Sequence, residues 1–385
     1  MKKEEAKKDA VETQPEAGRR KFLKTAAAAA GAATVATMGF PMVSRAQTIT
    51  IKMQGAWGAN DIFNEYAEDY VKRVNEMAGD RLKIQYLLAG AVVKPFQLQD
   101  AVNKGVLDAG HHVAAYWYGK SKVASLFGTG PVFGQNANQG LAWIYHGGGL
   151  ELYNELLEML KLNLVGFFCM PMPTQPLGWF KKKIETSEDM VGLKYRTVGL
   201  ATDIMQAMGV KVTQLPGGEI VPALERGVID AFEYNNPTSD KNFGAQDVSK
   251  VYMLGSYHQA AEYFEIIFNK DKFNDLADEQ KAICRYAAEA ASSDNYWKGQ
   301  DRYSTDLLWL KNEAGVNVYR TPQSIMDDQL KAWDEVLPML EKDPFFAKVV
   351  KSYKDFAHRV AYYELMASAD YKLAYEHYFP GELGF

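Results

Sequence analysis

The 385-residue chain has only two cysteines, Cys169 and Cys284, and six histidines. The cysteines lie far apart and form no metal-type spacing, so they read as two buried thiols rather than as a metal clip or a disulfide. There is no excess of positive charge: Lys and Arg number 43 against 48 Asp and Glu. Setting aside residues 1–46 removes nine basic and five acidic residues and leaves 34 against 43, a net charge near −9. That balance argues against nucleic acid or an anionic membrane surface as partner. The catalytic signatures are missing as well. No G-x-S-x-G, H-E-x-x-H or dinucleotide fingerprint occurs, and the glycines at 147–149 are not followed by Lys-Ser/Thr, so they form no phosphate loop. His111 and His112 are adjacent, and neighbouring strand residues point to opposite faces, so the pair does not chelate one ion.

What is present begins with an N-terminal signal. Residues 18–40, GRRKFLKTAAAAAGAATVATMGF, place twin arginines Arg19 and Arg20 before a weakly apolar run, and SRA precedes Gln47. The pattern predicts a twin-arginine export signal cleaved near Ala46, and hence a periplasmic protein. The apolar run is shorter than the roughly 20 residues that a spanning helix needs.

From Gln47 the periodicity alternates between strand and helix. TITIKM (48–53) reads as a strand, DIFNEYAEDYVKRVNEMAG as an amphipathic helix and RLKIQYLL as a second strand. PFQLQDAVNKG opens a helix at Pro95 and closes it at Gly105, and VLDAGHHVA supplies a third strand. Strands separated by single helices predict parallel pairing. The stretch NLVGFFCMPMPTQPLGWF has the proline and glycine content of a passage between lobes. A second α/β unit follows, with a helix near 200–208, the strands KVTQL and VIDAFE, and strand-like runs at 250–258 and 261–268. Beyond Asp271 the pattern is helical at 276–313 and from Phe345 to about His377, interrupted by the strand VNVYR.

The chemistry concentrates in residues 191–233, VGLKYRTVGLATDIMQAMGVKVTQLPGGEIVPALERGVIDAFE. The series G-L-K-x-R, G-V-x-V and G-G-E-x-x-x-A-L-x-x-G-x-x-D-A-x-E resembles the solute-binding proteins of tripartite ATP-independent periplasmic (TRAP) transporters. The nearest likeness is to the branch that binds 2-oxo acids or lactate together with a metal ion. The resemblance implies an α/β fold of two lobes around a central ligand cleft, braced by long C-terminal helices. On this reading residues 47–170 with 270–344 form lobe 1, 171–269 form lobe 2, and 345–385 form a helical extension. It also implies a binding protein rather than an enzyme, a small carboxylate ligand, membrane-embedded transporter subunits as partners and a homodimer through the C-terminal helix.

Residue by residue, Arg196 ends a strand-like segment, where binding groups of open α/β folds collect, and guanidinium takes a carboxylate bidentately. In the family the matching arginine holds the ligand's carboxylate. Glu233 ends VIDAFE between Phe232 and Tyr234. The resemblance makes it a ligand of a hard cation, Na⁺ or Ca²⁺, with the Tyr234 carbonyl, Gln259 and Gln175 completing the set. Oxygen donors of this kind suit such ions. The matching position of Tyr234 is more usually tryptophan, and the sequence around Gln259 departs from the branch. Tyr116 and Trp117 fall where the family places aromatic cleft walls, with core packing the competing reading, as for Trp57 and Trp179. Asn235 and Gln175 join Arg196 as expected substrate-binding residues. Two rival functions remain open: a metal-free dicarboxylate or sugar-acid binder, and a metal-dependent enzyme acting on a keto acid.

Overall fold

The computed structural model describes residues 48–131 and 133–385, so the expected export signal lies outside the described residues. In chain order the strands and helices are β1 (Ile49–Gly55), α1 (Ile62–Ala78), β2 (Leu82–Leu87), α2 (Leu98–Asn103), β3 (Ala109–His112), α3 (Ala137–His146), α4 (Gly149–Met159) and β4 (Leu164–Met172). Then come β5 (Gly178–Phe180), β6 (Lys194–Arg196), α5 (Ala201–Ala207), β7 (Lys211–Thr213), α6 (Ile220–Glu225), β8 (Ala231–Phe232), α7 (Pro237–Phe243), α8 (Ala245–Val248) and β9 (Val251–Leu254). The chain continues through β10 (Glu262–Asn269), α9 (Lys270–Asn274), α10 (Asp278–Asn312), β11 (Asn317–Arg320), α11 (Gln323–Leu340), α12 (Pro344–Ala367) and α13 (Tyr371–Tyr378).

Two sheets result. The first has the order β2-β1-β3-β10-β4 and the second β11-β9-β5-β8-β6-β7. β1 pairs in parallel with both β2 and β3, as the strand–helix alternation requires, while β10 runs antiparallel between β3 and β4. In the second sheet β6 lies parallel to β7 and β8, and β5 is antiparallel to β8 and β9. The chain therefore passes between the sheets at 173–177 and at 255–261, and again along α10.

α1 shows how the sequence builds the first lobe. Asp61 caps it by accepting from the Phe63 amide at 2.9 Å, and Phe63, Tyr66, Tyr70 and Val74 form the apolar stripe that faces the core. α10, at 35 residues, extends about 50 Å and packs on α1 and β4 at one end and on α7 at the other. Its buried face is rich in small residues, Ala287, Ala288, Ala291 and Gly299, which let these neighbours approach closely.

Two segments differ from expectation. β11 falls within 270–344 yet pairs with β9 in the second sheet, because Val316 packs into the second lobe's core, and α11 packs on α5. The helical pattern expected up to about His377 breaks at Ser368, where the backbone turns extended. Asp370 then caps α13, accepting from the Leu373 amide at 2.9 Å. Cys169 and Cys284 are both buried and free, as expected.

Candidate functional site

The two crossing segments bring distant residues side by side. The Gln175 amide donates to the Gln259 carbonyl at 3.1 Å, and Thr174 Oγ1 donates to the Ala260 carbonyl at 3.0 Å. The parallel register of β6 and β8 sets Arg196 opposite Phe232, and the Glu233 amide donates to the Arg196 carbonyl at 3.2 Å. Gly178 fixes how β5 starts against the end of β8. Its φ is +124°, and a Cβ there would meet the Phe232 carbonyl oxygen at 2.1 Å. The four side chains expected to bind the solute and its cation, Gln175, Arg196, Glu233 and Gln259, are thus all buried at one place.

Arg196 is 1% exposed and Glu233 is fully buried. Nη1 of Arg196 donates to the Glu233 carboxylate Oε1 and to its carbonyl, both at 2.9 Å, and Nε donates to the Leu215 carbonyl at 2.8 Å. Nη2 has no acceptor among the described residues and stays free for a further anion. On the other side of Glu233, Gln175 Nε2 donates to Glu233 Oε2 and to the Tyr234 carbonyl. The side-chain oxygens of Gln175 and Gln259 are buried without partners, while Gln259 Nε2 reaches Thr197 Oγ1 at 3.4 Å. Half a turn of the Gln175 amide exchanges its nitrogen for oxygen. The Glu233 carboxylate, the Tyr234 carbonyl and the Gln175 amide oxygen would then face one point, with the Gln259 amide beside Glu233. Among the described residues no three His, Cys, Asp or Glu side chains cluster as a metal site. The donor set is therefore all oxygen with a single carboxylate, which fits a hard cation such as Na⁺ or Ca²⁺ and not zinc.

Burial outweighs Arg196 in setting the charge of Glu233. Desolvation pushes its carboxyl up to about 7, against the pull of Arg196 and of hydrogen bonds from Thr197 and Gln259. A cation beside it would replace the proton.

Tyr116 is half-buried, packs against Phe96 and Trp57, and lies within electrostatic reach of Arg196 and Glu233. Trp117, expected on the cleft wall, packs instead in the first lobe's core, stacked on His112 with its Nε1 directed at His112 Nδ1. The cause is local: residues 114–117 form a 3₁₀ turn, which points successive side chains in different directions. Trp57 and Trp179 are core residues too. Trp57 donates to His111 Nδ1 at 2.7 Å, and Trp179 stacks on Tyr252 and donates to Asp240 at 2.8 Å. The two histidines face opposite ways, His111 toward Trp57 and Met170 and His112 toward Glu265.

Asn235 does not point at Arg196. Its side chain donates to Asp61 Oδ2 at 3.1 Å, and its amide donates to Asp240 at 3.1 Å. Asp61, at the head of α1, also accepts from Tyr234 Oη at 2.5 Å and Ser239 Oγ at 2.9 Å. It ties the first lobe to the segment that carries Glu233 and Tyr234. Sequence reasoning missed Asp61, Thr197 and Glu262. The only signal for Asp61 was its position before an apolar helix, which reads as an ordinary cap. Glu262 was the more legible of the other two, a carboxylate beside the apolar run YFEIIF.

This geometry has counterparts among known proteins. Residues 53–343 match the family model described as bacterial extracellular solute-binding protein, family 7. A monocarboxylate 2-oxoacid-binding periplasmic protein of Nostoc sp. is 32% identical over 354 residues, 89% of this chain and 94% of that protein. A TRAP periplasmic solute-binding protein of Pseudoalteromonas atlantica, solved with bound sodium and pyruvate, superposes with a TM-score of 0.79 at 30% identity, covering 86% of this chain and 99% of the other. A TRAP solute-binding protein of Bordetella bronchiseptica, a mixed-occupancy dimer with calcium and picolinate in one site, gives 0.80 at 28% identity and covers 86% and 97%. With the model spanning most of the chain and both lobes superposing on these relatives, the chain belongs to the DctP family of bacterial extracellular solute-binding proteins, the binding components of TRAP transporters.

Proposed function

We propose that the protein binds a small 2-oxo or 2-hydroxy monocarboxylate of the pyruvate, 2-oxobutyrate or lactate type. Arg196 takes the carboxylate, and Glu233, the Tyr234 carbonyl, Gln259 and Gln175 hold a sodium or calcium ion that the solute also touches. The observation that carries this reading is the meeting of a buried Arg196–Glu233 pair with two unpartnered buried amide oxygens. Buried polar groups left unpaired cost free energy that a ligand would recover. The 2-oxoacid-binding relative and the pyruvate-bearing neighbour support the same solute class. The ion would supply positive charge to the solute's oxygens. The chain's own part is to orient and desolvate: Arg196 fixes one end, Tyr116 walls the cleft, and Trp117 supports that wall from the core.

The protein is exported to the periplasm by the twin-arginine route and cleaved near Ala46. It closes on the solute, delivers it to membrane-embedded TRAP subunits and pairs as a homodimer through its C-terminal helices. It binds without turnover. Calorimetry with pyruvate and succinate, before and after exhaustive chelation and desalting, tests the reading. Pyruvate should bind in the micromolar range or tighter, about −8 kcal/mol, only with the cation present, and succinate should not bind. Undiminished pyruvate affinity after chelation would overturn the cation, and preference for succinate would overturn the solute. Incubation with a 2-oxo acid should return it unchanged by NMR.

A further inference from the structure

Glu262 opens β10, whose amino end lies beside the carboxyl ends of the parallel strands β1 and β3, where open α/β folds gather ligands. It is 3% exposed, and its Oε2 has no hydrogen-bond partner among the described residues. Its backbone bridges Thr129, whose Oγ1 is also unpartnered, and pairs with Met172 at the start of the first crossing segment. Arg196, Glu233 and Asp61 act on its charge, and Glu262 in turn acts on those of Tyr116 and Tyr303. A Cβ on Gly199, three residues past Arg196, would lie 3.3 Å from Thr129 Oγ1, so Glu262, bridged to Thr129, stands beside the candidate site on the first-lobe side with an idle oxygen. A buried carboxyl oxygen without a partner costs free energy that a ligand would recover.

We propose that Glu262 is a solute-binding residue that donates a hydrogen bond from its carboxyl O–H to an oxygen of the bound monocarboxylate. This rests on the solute reading above. The charges of the site agree with it. Arg196 and Glu233 cancel, and a sodium ion is balanced by one solute carboxylate, so with sodium bound an ionised Glu262 would leave an uncompensated buried charge. Burial, more than the nearby Glu233, holds its carboxyl above the usual range in the cation-free protein, which favours the protonated form that can donate. On the proposed reading Gln175 and Gln259 give their amide oxygens to the cation, so Glu262 complements Arg196 as a donor to the solute from the opposite lobe.

The test compares the full mature chain with Glu262→Gln and Glu262→Leu, using pyruvate with sodium or calcium supplied. Pyruvate affinity is read by calorimetry, and the thermal midpoint is read without and with pyruvate. Gln keeps a neutral N–H donor, so its affinity should stay within about threefold of wild type. Leu keeps the bulk without the donor, so its affinity should fall at least tenfold, in line with the loss of one hydrogen bond to a charged or polarised group. Its midpoint without pyruvate should be unchanged or higher, because an unpartnered polar atom has been removed. A Leu variant with a lowered midpoint and intact pyruvate affinity would overturn the proposal in favour of a purely structural role. A Gln variant as weak as the Leu variant would overturn it too, by showing that an ionised carboxylate is required. A wild-type protein that ignores pyruvate with either cation would overturn the solute reading and this inference together, whereas binding by wild type with no loss in Glu262→Leu overturns this inference alone.

Discussion

At the scale of single residues the site turns on one carboxylate with two competing partners. On the proposed reading Glu233 would exchange a proton for a cation; its carboxyl is pushed up to about 7 by burial. Because the folded value is raised, this group's contribution to the stability of the cation-free protein is complete at acid pH, below the ordinary carboxylate range, and is lost as pH rises through about 7. Cation-dependent binding has the opposite sign. It should weaken as pH falls below about 7, approaching tenfold per unit, with protons released on binding. Calorimetry in buffers of different ionisation enthalpy checks this, and pH-independent binding between 5.5 and 8 would count against Glu233 as the cation's ligand. Glu233→Gln should weaken pyruvate binding and remove its dependence on the cation, whereas a carboxylate with no role would tolerate the change. Arg196→Lys should lower affinity at least tenfold and also lower stability by about 1–3 kcal/mol, read by urea denaturation. The guanidinium also serves the Leu215 and Glu233 carbonyls, which one ammonium cannot do in that geometry. Both residues were legible as needing a partner, because a charge at the end of an apolar strand demands one, but the partner each finds in the structure is the other. Asp61 was not, since a cap that also accepts hydrogen bonds from residues more than 170 positions away looks, in sequence, like any other cap.

At the scale of elements, the long helices α1 and α10 and the parallel β1–β3 unit could be read directly, because their periodicities run long enough to bury a face, whereas α3, α4, α7 and α8 went unread. The antiparallel insertion of β10 between β3 and β4 was not readable, because no local pattern records which distant strand a segment will join. β8 is two residues long, too short for any period, and it is held instead by contact with its neighbours. That makes its junction with β5 sensitive. Gly178→Ala should cost more than about 2 kcal/mol, since it combines an unfavourable φ with a collision against the Phe232 carbonyl. Gly218→Ala, where a Cβ meets nothing, is the control and should be close to neutral. Urea unfolding of both variants decides it, and equal stabilities would mean that the junction relaxes freely. Pyruvate affinity should fall in Gly178→Ala as well, because Gln175 lies three residues before this point.

At the scale of the whole molecule, the sequence pattern marked the passage between lobes but not how often the chain returns, so the assignment of β11 and α11 could not be made from local composition. The C-terminal helices pose the remaining question. α12 is buried through Ala361 against the first lobe and then leaves it. Tyr363 is 70% exposed and Leu365 is 76% exposed, and Met366, Tyr371, Leu373, Tyr378 and Phe379 are exposed as well. A surface with this many large apolar side chains is uncommon on a lone soluble chain and is normally covered. A second copy of the same segment, related by twofold symmetry, would bury it through matching contacts. The mature protein should therefore run at twice its chain mass by light scattering, and Tyr363→Glu with Leu365→Glu should make it monomeric. Pyruvate affinity should remain within about twofold, because the crossing segments and β6–β8 lie in other elements. A wild-type chain that is monomeric across the micromolar range would refute the pairing, and a charged variant that stays dimeric would place the interface elsewhere.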